Sequence, residues 1–159
     1  MKKLTFTGLA LLSLLFTACL KHEDCCAIPY QPYFVAEKNG LDVYAAPGTA
    51  RVGADSLSVI GKGQDAGIRM HIKFTGKGVY ALTGNQAKYY QKINTDTVSR
   101  YNIGVANGSS LEVTDYDSTN KVIAGKFTLK FKRTFPTTSS TYPDSVKFTK
   151  GQFSVYLPR

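Results

Sequence analysis

The chain has 159 residues, with 20 Lys and Arg against 11 Asp and Glu, a formal net charge of +9 and 43% hydrophobic residues. That length holds one domain with a sizeable core. The basic residues are spread over many segments, with no Lys/Arg run of the kind that forms a nucleic-acid arm, which excludes nucleic acid as a partner. The 10 Tyr, 9 Phe and 14 Gly, with no Trp, favour strands and turns over helices.

The first elements are not part of that domain. Lys2 and Lys3 precede an apolar run from Leu4 to Phe16, which is followed by Thr17, Ala18 and Cys19. A membrane-spanning helix needs about 20 apolar residues, so this run is too short to stay in a bilayer as an anchor. Small residues directly before a cysteine resemble the lipobox of bacterial lipoproteins, with Phe16 where Leu is usual. The resemblance implies a cleaved signal over residues 1–18 and a diacylglyceryl group on Cys19. Each buried CH₂ contributes about 0.8 kcal/mol, so two or three acyl chains hold a protein on a membrane durably. Leu20 follows the cysteine, and Lys21-His22-Glu23-Asp24 resembles the charged tracts behind the lipidated cysteine of surface-exported lipoproteins. A solvated tether is the other reading of that tract. Residues 19–32 then form the lipidated cysteine and tether, and 33–159 the domain. Removing the signal leaves 18 basic residues against 11 acidic, a net +7.

Cys25 and Cys26 complete the three cysteines, and none lies in the domain. Neighbouring Cα atoms sit about 3.8 Å apart, below the usual disulfide range, so these two are free, strained together or paired between molecules. The core of the domain is expected to hold by packing alone.

From Tyr33 onward, short alternating runs are separated by turn residues roughly every ten positions, the pattern of a sandwich or barrel. Tyr33–Ala36 and Leu41–Ala45 flank Asn39-Gly40, a type I′ hairpin signal. Pro47-Gly48 ends the second run. Leu57 and Val59 alternate with Ser56 and Ser58. Ile68, Met70, Ile72 and Phe74 share one face of the next strand, with Arg69, His71 and Lys73 on the other. Gly76-Lys77-Gly78 turns into Val79–Leu82, and two further strands run over Ala87–Ile93 and Val98–Val105. Leu111 and Val113 lead to a turn at Asp115–Asn120. Ile123, Phe127, Leu129, Phe131 and Phe135 then line one face of a long strand whose other face carries Val122, Lys126, Thr128, Lys130 and Lys132. One buried and one wet face is what an antiparallel sheet allows. After a Ser/Thr/Pro loop, Val146 and Phe148 form a run that Gly151 interrupts before Phe153, Val155 and Leu157. The expectation is an all-β antiparallel sandwich or barrel-like single domain.

Four segments carry a family resemblance: Gly78-Val79-Tyr80-Ala81-Leu82, Ser110–Asp117, Ile123-Ala124-Gly125-Lys126-Phe127 and Val146–Phe153. They resemble successive strands of a β-rich lipoprotein family of unknown function found in Bacteroidota. Ser110 stands near the family glycine and Ala124 replaces a serine. The resemblance implies a sandwich-like lipoprotein and supplies no catalytic residues.

His71 is the only histidine outside the tether, so no multi-histidine metal site and little scope for a triad are expected. Asp115, Asp117 and Asn120 offer oxygens to Ca²⁺, but the same residues form turns through their own side-chain hydrogen bonds, and no metal or other cofactor is expected. Tyr89, Tyr90 and Tyr101 are candidates for an aromatic platform under a sugar ring, ordinary strand packing being the other role. Arg69, Lys73, Lys126, Lys130 and Lys132 make a basic face for anionic glycans or lipid headgroups if their two strands pair. If the strands do not pair, they are separate solvated faces. The function expected is that of a non-enzymatic outer-membrane lipoprotein, on the periplasmic or cell-surface side. Its β-domain has a binding or structural role towards an anionic glycan or another envelope protein. A glycan-binding accessory protein is one alternative. The other is a lipocalin-like carrier with an apolar interior, which an open cavity would favour.

Overall fold

A computed structural model describes residues 31–104 and 108–158. Eleven strands follow in chain order: β1 (Tyr33–Lys38), β2 (Asp42–Ala46), β3 (Gly48–Val52), β4 (Ser56–Lys62), β5 (Ala66–Lys73), β6 (Gly78–Ala81), β7 (Ala87–Ile93), β8 (Asp96–Asn102), β9 (Ser110–Asp117), β10 (Val122–Phe135) and β11 (Ser145–Tyr156). A 3₁₀ turn, Gly84–Gln86, precedes β7. The domain is all-β, as the alternation predicts. Asn39 and Gly40 both take positive φ (55° and 77°), and Leu41 N donates to Lys38 O (3.3 Å), which closes the first hairpin where the sequence places it.

All pairings are antiparallel and form one sheet in the order β2-β1-β11-β10-β8-β7-β5-β4-β3, with β6 and β9 as an arm off β10. The ladder does not close. Its two end strands are nevertheless consecutive in the chain, joined at Pro47, so the sheet must fold back on itself. Proline cannot donate to a ladder, yet its carbonyl accepts from Lys62 N (3.1 Å). Tyr44 on β2 reaches across the same gap and donates to the carbonyls of Gly61 (3.0 Å) and Ala66 (3.3 Å). The strand β3 is absent from the sequence reading, because Gly-Thr-Ala-Arg-Val buries only Ala50 and shows little apolar alternation.

The folded sheet encloses a core of rings. Phe148 lies between Tyr44 (5.5 Å), Tyr89 (5.1 Å) and Phe131 (6.0 Å), and Phe34 packs on Phe127 (4.8 Å) and Tyr44 (6.1 Å). Edge-on and tilted arrangements of this kind suit the ring quadrupoles. A second aromatic group, Phe74 with Tyr80 and Tyr116, packs where β5 meets the β6–β9 arm.

Two bulges decide which residues face outward. In β11, Phe127 opposes Gly151 while Leu129 opposes Phe148, and Lys150 takes φ 50°. The extra residue shifts the parity, so Val146 and Phe148 point inward before it, and Phe153 and Val155 after it. Gly151 therefore does not interrupt the strand; β11 runs through it. In β10, Arg133 opposes Tyr101 while Phe135 opposes Arg100. This corrects the expectation that Phe135 shares the buried face: the bulge at Thr134 turns it to the outside, 46% exposed.

Burial gives the Tyr44 phenol a pH signature. Desolvation pushes its pKa from 10.0 up to about 12. The neutral phenol is the form the fold favours, so its contribution is complete below pH 10 and is lost as pH rises towards 12. Urea unfolding at pH 8 and pH 11 should show a lower midpoint at pH 11, and a smaller drop in Tyr44→Phe. An equal drop in both proteins would contradict this assignment.

Candidate functional site

The order of strands assembles an outer face that no single segment announces. Side chains alternate along β7, so Tyr89 points into the core while Lys88 and Tyr90 point out. On β8, Ser99 and Tyr101 point in while Arg100 and Asn102 point out. Register then aligns Lys132 with Asn102, Asn102 with Lys88, and Lys88 with Arg69, one polar row across β10, β8, β7 and β5. The next row holds Phe135, Arg100, Tyr90 and Gly67.

These rows decide between the alternatives left by two sequence expectations. Of the proposed platform, Tyr89 (1% exposed) and Tyr101 (0%) face each other at 5.3 Å, but inside the core. Only Tyr90 is available to a ligand. Burial pushes the phenol pKa values of both inner tyrosines upward. The buried Tyr101 hydroxyl lies near Ser99, whose own hydroxyl donates to Gln91 (2.8 Å). The basic face resolves into its other reading, separate faces, because β5 and β10 do not pair; β7 and β8 lie between them. Lys126 is on the half of β10 that pairs with β9, where it opposes Glu112, and Lys130 lies beside Ser109. Lys73 is at the end of β5 opposite Ser56. Arg69 and Lys132 remain, joined by Lys88, Lys92 and Arg100, which the sequence reading missed. Alternation alone would have put Lys88, Tyr90 and Arg100 on the wet face. Their adjacency depends on strand order, which no local pattern carries.

Between β7 and β8 this face holds a cavity of about 330 Å³, lined chiefly by Lys88, Tyr90, Lys92, Arg100, Asn102 and Thr134. A Cβ on Gly67 would fall 2.3 Å from the Tyr90 hydroxyl, so the phenol lies directly over that glycine. The Lys92 ammonium sits 5.5 Å from the Tyr90 ring centroid, and the Arg100 guanidinium 5.4 Å from that of Phe135. Asn102 donates to Asn85 Oδ1 (2.8 Å). A second cavity of about 220 Å³, lined by Arg69, His71, Asn85, Gln86 and Lys88, shares Lys88 with the first. Among the described residues the ion pairs are Lys77–Asp115, Arg133–Asp144 and Lys150–Glu37, none of them on this face. The only carboxylate on β5, β7 and β8 is that of Asp96, at the start of β8.

Two other sequence candidates resolve into hydrogen bonding. His71 Nδ1 lies 2.8 Å from the Ser58 hydroxyl, its cross-strand partner. Its neighbours along β5 on that face are Arg69 and Lys73, and no carboxylate orients the imidazole among the described residues. At the β9–β10 turn, Asp117 accepts from Thr119 N and Asn120 N (2.9 Å each) and from the Asn120 amide (2.6 Å). Asp115 pairs with Lys77 (2.7 Å). Both carboxyls are held below their ordinary pKa, Asp115 by Lys77 and Asp117 by its bonds from Asn120. Each has a partner within the protein, Asp117 in the arrangement of an Asx turn. Cys19, the tether and Cys25–Cys26 lie outside the described residues.

No curated protein and no solved structure matches the chain. One family does, over residues 30–155, which is the whole eleven-stranded sheet except the last residue of β11. The chain belongs to the family described as Domain of unknown function (DUF6252).

Proposed function

We propose that this protein is an outer-membrane lipoprotein, held by acyl chains on Cys19, whose β-domain binds a ligand without acting on it chemically. The observation that carries the binding reading is the cation-lined groove beside Tyr90, on the outside of a domain whose interior is filled by rings. A recess lined by one sign of charge attracts and concentrates ligands of the opposite sign. The lipocalin-like alternative needs room inside. Phe34, Phe148 and Phe153 are each 0% exposed and the rings lie in contact, which favours an external site. The lipobox resemblance and the resemblance to Bacteroidota lipoproteins support the envelope location.

Mass spectrometry of the native protein purified from membranes tests the anchor. The expected amino terminus is Cys19 bearing a diacylglyceryl group. An unmodified terminus at another residue, or recovery from the soluble fraction alone, would overturn the anchored reading.

A further inference from the structure

We infer that the two linked cavities on the outer face of β5, β7 and β8 form an extended site for an acidic polysaccharide, one bearing carboxylate or sulfate groups. The inference rests on the binding reading above and names its ligand class. Three observations carry it. First, Lys88, Lys92, Arg69 and Arg100 have no carboxylate within ion-pairing distance among the described residues, so their charge is available to an anion. Second, the groove mixes these cations with the half-buried Tyr90 ring and with Asn102 and Thr134, neutral groups that exchange hydrogen bonds with sugar hydroxyls. Third, cavities of about 330 and 220 Å³ both have Lys88 in their lining. Two adjoining sites sharing one cation suit successive units of a polymer better than a single small ion.

The same features separate this ligand from two other polyanions. Single-stranded nucleic acid is held by stacking successive bases on several aromatic platforms. Here Tyr89 and Tyr101 are in the core, and the two outer rings, Tyr90 and Phe135, each already have a cation over them, Lys92 at 5.5 Å and Arg100 at 5.4 Å, so the face offers no run of open platforms. A bilayer presents a plane of headgroups, whereas Lys88, Arg100 and Tyr90 converge on a recess. Arg100 is the best placed of the cations: with its guanidinium stacked on Phe135, its fork of donors is held in one orientation for a carboxylate or sulfate.

Isothermal titration of the purified mature chain against tetragalacturonate, a heparin tetrasaccharide and maltotetraose tests the inference. The acidic oligosaccharides should bind, more weakly as salt is raised, and the neutral one should not. Lys88→Ala with Arg100→Ala should weaken binding by about tenfold or more, as expected for lost charge-assisted hydrogen bonds. Tyr90→Leu, which removes the ring but no charge, should weaken it less. Lys126→Ala, which removes a positive charge from outside the groove, should leave it unchanged, and thermal melts check that each variant is folded. Equal binding of neutral and acidic sugars would overturn the inference and leave the binding reading intact. So would preference for phosphatidylglycerol vesicles or for a single-stranded oligonucleotide. No binding to any of these probes would overturn the inference alone, whereas cleavage of an oligosaccharide would overturn the non-catalytic reading itself.

Discussion

Replacing Phe148 with alanine should lower the unfolding free energy by about 3–5 kcal/mol, the range for removing a fully buried phenylalanine. Phe148 is 0% exposed and its ring meets Tyr44, Tyr89 and Phe131 at 5.1–6.0 Å. It sits on β11, the strand between β1 and β10, so those contacts bind both halves of the folded sheet. The loss is large against the roughly 5–15 kcal/mol that separates a typical domain from its unfolded state. The cavity left behind is lined by apolar and aromatic groups, and such cavities stay dry and admit benzene-sized solutes. Urea denaturation with and without benzene therefore reads two things. The variant should be destabilised and partly rescued by benzene, while the parent gains nothing from it. A loss below about 1 kcal/mol, together with benzene stabilising the parent, would mean that the interior is already open. The carrier reading would then displace the external site.

Much of this architecture was legible because each strand has one wet and one dry face. The alternation of β10 reads directly as Ile123, Phe127, Leu129 and Phe131 inside with Lys126, Lys130 and Lys132 outside. Even the parity change in β11 is written in the chain, since Phe148 and Phe153 are an odd number apart with Gly151 between them. What failed has one cause. Phe135 follows the apolar parity of β10 but lies beyond a bulge whose existence depends on the pairing with β8. Tyr89, Tyr90 and Tyr101 looked like a set because they are tyrosines, although alternation puts Tyr90 on the face opposite Tyr89. The groove needs β7 and β8 placed between β5 and β10, an ordering set by long-range packing. A sequence shows which face each strand presents. It does not show which strands stand side by side.

That long-range order is most exposed to a single substitution at Gly125. A Cβ there would lie 2.1 Å from the Glu112 carbonyl oxygen and 2.8 Å from Phe153 Cε1. The first contact decides the outcome, because the oxygen belongs to the backbone of β9 and cannot move without displacing the strand. Gly125 sits at the register shift where β10 pairs with Val113 immediately after Ala124 pairs with Asp115. Pushing β9 away there also strains β6, whose only partner is β9. Gly125→Ala should therefore cost about 3 kcal/mol or more, the upper range of overpacking. Gly67→Ala provides the contrast. Its nominal contact, 2.3 Å to the Tyr90 hydroxyl, is nearly as short. The obstacle is the far end of an outward-facing side chain, which can swing away, so the cost should stay near 1 kcal/mol. The displaced ring should instead disturb the groove and weaken acidic-saccharide binding. Denaturation of the two variants side by side checks the argument. Equal stabilities, or a Gly125→Ala protein within about 0.5 kcal/mol of the parent, would mean that β9 does not approach β10 as closely as described, and the placement of the β6–β9 arm would have to be redrawn.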